Sequence, residues 1–146
     1  MAPHFDKLFS IEIDPALAAK ATARFADETK IKIIEGNSAK MLPTVLAELE
    51  EPALFWLDGH YSGGVTGGGD TEVPIMEELK LIFDHAVKSH VILIDDARLF
   101  RGTLGYPTIS RLAKFVRKHA PHYGVTVYAD IIRIYNTEYV WSSEEK

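Results

Sequence analysis

Four times along this chain a short apolar run gives way to a segment with helical spacing, and two further apolar runs close it. Apolar runs of strand length separated by amphipathic helices leave few options. Successive strands must lie parallel, and the helices must cover the sheet. The runs at 7–13, 31–35, 53–57 and 91–94 read as strands, and the segments at 16–26, 39–50, 74–87 and 108–119 as helices. The last two runs, 125–128 and 131–135, flank only Ala129-Asp130, so they form a hairpin or one bent strand. The expectation is a single α/β domain over residues 1–146, built on a mostly parallel sheet with helices on both faces.

Local signals sharpen the boundaries. Asp14-Pro15 ends the first strand and opens a helix, with Asp14 as N-cap and Pro15 in the first turn. Gly36-Asn37-Ser38 closes the second strand, and Ser38 is the expected cap of the next helix, with Pro43 near its first turn. Ile75, Leu79, Ile82 and Phe83 make one apolar stripe; Ile109, Leu112, Phe115 and Val116 make another. The glycine-rich stretch 62–71 reads as a loop, either a lid over a site or a surface insertion. Trp56 and Trp141 read as core residues.

Composition removes several classes of function. The chain has no cysteine, which excludes disulfides, thiolate metal sites and cysteine nucleophiles. A net charge of −5 gives no electrostatic footprint for nucleic acid or an anionic membrane. No apolar run approaches the ~20 residues of a membrane span, and the N-terminus has no signal-peptide core. A cytoplasmic protein acting on a small molecule is the expectation.

Chemistry concentrates at the strand ends. Leu54-Phe55-Trp56-Leu57 stops at Asp58, followed by Gly59-His60-Tyr61, and Val91-Ile92-Leu93-Ile94 stops at Asp95-Asp96. Ligands of open α/β sheets bind outside the carboxyl ends of the strands. Carboxylates gathered there suit Mg²⁺ or Mn²⁺, although Asp95 or Asp96 can equally cap a turn. His60 is either a general base, a metal ligand or a solvated loop residue. Glu12, ending the first strand, either accepts hydrogen bonds from a ribose or faces solvent. Arg98 either binds an anionic substrate or pairs with a neighbouring carboxylate.

Ser10-Ile11-Glu12-Ile13-Asp14, Glu35-Gly36-Asn37-Ser38, Phe55-Trp56-Leu57-Asp58-Gly59-His60-Tyr61 and Ile92-Leu93-Ile94-Asp95-Asp96 together resemble the successive strand ends of class I S-adenosylmethionine-dependent methyltransferases. The likeness is nearest to the metal-assisted O-methyltransferases of small molecules and sugars, and it covers residues 7–141. It implies a Rossmann-like α/β/α sandwich with an antiparallel C-terminal strand. Glu12 would bind the cofactor ribose, with Asn37 and Ser38 beside the adenine. Many family members carry an acid where Asn37 stands; its amide changes the donor and acceptor geometry. Asp58, Asp95 and Asp96 would hold Mg²⁺ or a similar cation, with Asp58 also at the cofactor and His60 as base.

One departure qualifies this. The family's first strand and glycine-rich loop should precede Lys7, where only Met1 to Asp6 stand. Such a form keeps the metal side of the site and little of the cofactor side, so weak binding of S-adenosylmethionine is expected. The strands on either side of the missing one must pair directly or find another chain, because unpaired backbone in a buried position is costly. The alternative is thus a non-catalytic methyltransferase-like module that self-associates through that region. A nucleotide-sugar transferase or phosphotransferase is a third class, disfavoured because no basic phosphate-binding motif accompanies the acids.

Overall fold

The structure, a computed structural model, describes residues 4–58 and 73–138, in two compact units, Met1–Glu48 and Leu49–Lys146. In the first, β1 (Leu8–Glu12) leads through α1 (Pro15–Arg24) to β2 (Ile31–Glu35) and α2 (Ser38–Leu46). The two strands pair in parallel, Leu8 opposite Ile31 and Glu12 opposite Glu35. Asp14 caps α1 as expected, its carboxylate accepting the N–H groups of Ala16 (2.8 Å) and Leu17 (3.0 Å).

Helix α2 departs from expectation at both ends. Its cap is Asn37, whose Oδ1 accepts the Lys40 N–H, and Ser38 is the first helical residue. Pro43 falls inside the helix, where it removes one intrahelical hydrogen bond. The helix stops at Leu46 although the apolar pattern runs on to Leu49. Glu48, Glu50 and Glu51 would crowd the negative end of the helix dipole, and Pro52 restricts the residue before it.

The second unit holds β3 (Leu54–Leu57), α3 (Ile75–Asp84), β4 (Val91–Ile94), α4 (Ile109–His119), β5 (Tyr123–Tyr128) and β6 (Ile131–Asn136). Its sheet has the order β3-β4-β6-β5. The β3–β4 pair is parallel and the β5–β6 hairpin joins antiparallel to β4. Ala129 and Asp130 both have positive φ, as a two-residue hairpin turn matched to the strand twist requires. Because side chains alternate across a sheet, Phe55, Ile92, Ile94, Ile132 and Ile134 share one face, and all are buried. With Leu79 and Ile82 of α3 and Leu112 and Val116 of α4, also buried, they make the core of this unit.

Trp56 points to the other face and is 47% exposed, with Leu54 at 38%. The expectation of a core tryptophan is therefore corrected: strand alternation puts Phe55 inside and its neighbours outside. Helix α3 ends three residues earlier than the sequence pattern suggests. His85 is extended, and its Nδ1 lies 2.9 Å from Nε2 of the buried His90, a contact outside the helix. Among the described residues no helix is long and apolar enough to cross a membrane.

Candidate functional site

Leu57 lies opposite Ile94 in the parallel ladder, and the Asp95 N–H donates to the Leu57 carbonyl at 3.0 Å. Asp58 and Asp95 therefore leave neighbouring strands side by side, at the carboxyl end of the sheet. This juxtaposition matches the sequence reading. Asp95 turns one carboxylate oxygen back to the Asp96 N–H at 2.8 Å. Asp96 itself adopts the left-handed conformation and opens a single 3-10 turn over Ala97–Leu99.

Asp96 is buried and ion-paired with the Arg98 guanidinium at 2.6 Å. Arg98 also pairs with Asp130 in the hairpin turn, and its backbone N–H donates to Asp130 Oδ1 at 2.8 Å. The Asp130 carbonyl accepts the Ala97 N–H at 2.8 Å. These bonds hold the Asp130 carboxyl below its ordinary range, chiefly through the Arg98 N–H, and raise the Arg98 guanidinium, chiefly through Asp130. Of the two roles open to Arg98, pairing with carboxylates is the one present. Nothing in the sequence marks Asp130 as its partner, since the two are 32 residues apart.

Among the described residues no three His, Asp or Glu side chains are grouped as a metal site. Asp58 and Asp95 stand at neighbouring strand ends, and Asp96 pairs with the Arg98 guanidinium. Two carboxylates completed by water and substrate oxygens still suit Mg²⁺. His60 and the glycine-rich loop lie outside the described residues, as does Trp141.

In the first unit, Glu12 and Glu35 end adjacent parallel strands. Glu12 Oε1 accepts the Asp14 N–H at 2.9 Å, and its carbonyl accepts the Gly36 N–H at 2.8 Å. Gly36 has φ 146°, and a Cβ there would sit 2.7 Å from Met41 Cγ, so only glycine fits this turn. Asn37 is oriented by its capping bond, with Ser38 next to it at the start of α2. The strand-end acid and the tight turn that the resemblance selected stand at neighbouring strand ends.

No family model and no curated protein matches this chain. Solved structures do. A protein of Clostridium thermocellum assigned as an rRNA-methylase aligns over 88% of this chain and 73% of its own, with TM-score 0.53 and 16% identity. One of Staphylococcus aureus assigned as a caffeoyl-CoA O-methyltransferase aligns over 88% and 64%, with TM-score 0.53 and 15% identity. A Streptococcus mutans protein assigned as a methyltransferase, solved with SAH, aligns over 88% and 75%, with TM-score 0.52 and 14% identity. An Escherichia coli structure matches at TM-score 0.49, with this chain spanning 63% of its length, less than two thirds. At these identities the likeness is one of architecture: the chain has an α/β, Rossmann-like fold of the kind seen in these neighbours.

Proposed function

We propose that this chain belongs to an S-adenosylmethionine-dependent O-methyltransferase acting on a hydroxyl of a small molecule with the help of a divalent cation, in the cytoplasm. The observation that carries the reading is the pair of carboxylates, Asp58 and Asp95, delivered side by side by parallel strands. They would hold Mg²⁺, with Asp96 steadying the turn through Arg98. The cation, when bound, lowers the pKa of a coordinated substrate hydroxyl. Glu12, Asn37 and Ser38 would take the ribose and adenine, and His60 would accept the hydroxyl proton. The neighbour solved with SAH supports the choice of cofactor.

Mn²⁺ titration followed by paramagnetic broadening tests the metal. Broadening should centre on the amides of Asp58 and Asp95, be reversed by Mg²⁺, and need about tenfold more metal in Asp95→Asn. Labelled methyl transfer to a panel of hydroxylated small molecules, with and without Mg²⁺, tests the chemistry. Unselective broadening together with no transfer at high cofactor concentration would sink the reading.

A second reading, self-association of a non-catalytic module, is favoured by one observation. β3 pairs only with β4 among the described residues, and its outward side chains Leu54 and Trp56 are exposed.

A further inference from the structure

Past the acid pair, residues 97–108 form a closed loop. An isolated antiparallel bridge joins Arg101 to Thr108 at its base, and the Tyr106 N–H donates to the Thr103 carbonyl at 3.0 Å. Gly102 and Gly105 have positive φ, as such a tight path demands. The rings of Phe100 and Tyr106, both buried, meet edge to face with centroids 5.4 Å apart. The loop borders an open depression of about 300 Å³ lined by Arg98, Leu99, Arg101, Thr103, Leu104 and Tyr106. That is the low end of the size range of small-molecule sites.

The two arginines are not equivalent. Arg98 is fixed by Asp96 and Asp130, which offset its charge and orient its guanidinium. Arg101 is exposed and makes no ion pair among the described residues. Arg101, with the Thr103 hydroxyl beside it, makes a recognition set for a planar or tetrahedral oxyanion, and Arg98 serves as a wall held in place by its carboxylates. The chain as a whole is anionic at −5, so a local cation lining a preformed pocket stands against the surrounding field.

We propose that this pocket binds the oxyanion group, carboxylate or phosphate, of the small-molecule substrate. This rests on the O-methyltransferase reading for the word substrate, and on the pocket alone for the binding. The sequence runs directly from the acid pair into the pocket wall at Arg98, so one loop would carry both the reacting end and the anchoring end.

The test is titration of the full chain with inorganic phosphate and, separately, with acetate at constant ionic strength, reading amide shifts of residues 98–106. Saturable shifts confined to that loop are expected, weakened about tenfold in Arg101→Gln and unchanged in Arg133→Gln on β6. Arg101→Lys should retain part of the response. A response to phosphate alone assigns a phosphate ester, to acetate alone a carboxylate, and to both an oxyanion of either kind. No saturable shift with either probe, or an Arg101→Gln response equal to that of the parent, overturns the proposal. Because the readout is binding, the two readings fail separately. Probe binding without methyl transfer leaves the pocket and removes the enzyme, and methyl transfer without probe binding does the reverse.

Discussion

His90 shows most clearly how one residue can be decided by its surroundings. In sequence it is one of the five histidines besides His60 that show no shared spacing, and no role attaches to it. In the fold it is fully buried, packed edge to face against Phe55, with Nδ1 accepting the Ala53 N–H at 3.0 Å. That bond fixes the proton on Nε2, which faces His85 Nδ1 at 2.9 Å. Burial first, then the charges of His85 and Lys88, lowers its pKa to about 4 from 6.5. A depressed histidine is neutral when folded, so its stabilising effect is full above pH 6.5 and is lost as pH falls towards 4. The loss amounts to about 3 kcal/mol. Denaturant midpoints measured from pH 7 to pH 4 should fall accordingly, and His90→Asn should flatten that dependence. Equal slopes for the two proteins would show that His90 is not the sensor. The strand-end acids lie at the other extreme. Asp58 and Asp95 were legible because a strand end is a property of local sequence, whereas the Arg98–Asp130 bond depends on a hairpin folding back.

At the scale of the element, each strand and helix was legible from its period, and tertiary contacts moved the ends. Spacing left Ala129-Asp130 as a hairpin turn or a bend in one strand; the structure has the hairpin, and both residues adopt the positive φ it needs. The face of β3 was not legible. A four-residue apolar strand has no internal signal for which side is covered. Leu54, Phe55, Trp56 and Leu57 include no lysine, proline or bulge of the kind that protects an exposed edge. A second copy pairing antiparallel about Phe55 would set Leu54 against Trp56 of that copy and Phe55 against Phe55, keeping each face in register. Sedimentation at rising concentration should then show a dimer, weakened about tenfold or more by Trp56→Lys. A monomer at hundred-micromolar concentration, or a dimer indifferent to Trp56→Lys, would remove the self-association reading.

For the whole molecule, the two units differ in how much apolar surface each encloses. Around β4 and β6 the side chains of Ile92, Ile94, Ile132 and Ile134 are fully buried. In the paired β1 and β2, Ile34 is the buried residue. With Ala18, Ala39, Leu42, Val45 and Leu46 of the helices, Ile34 makes a smaller core than that of the second unit, under a sheet of only two strands. Hydrogen exchange should therefore be slowest in β4 and β6 and faster in β1 and β2 by on the order of a hundredfold. Equal protection across the four strands would contradict this account. The sequence by itself determined the α/β class, the order of elements and the acids at the ends of strands, because periodicity and turn chemistry act within a few residues. Tertiary structure alone decided that Asp96 pairs with Arg98, that Trp56 lies outside, and that Arg101 lines a pocket. Each of these depends on contacts between segments distant in the chain or on which face of a strand is covered, and neither is written in local spacing.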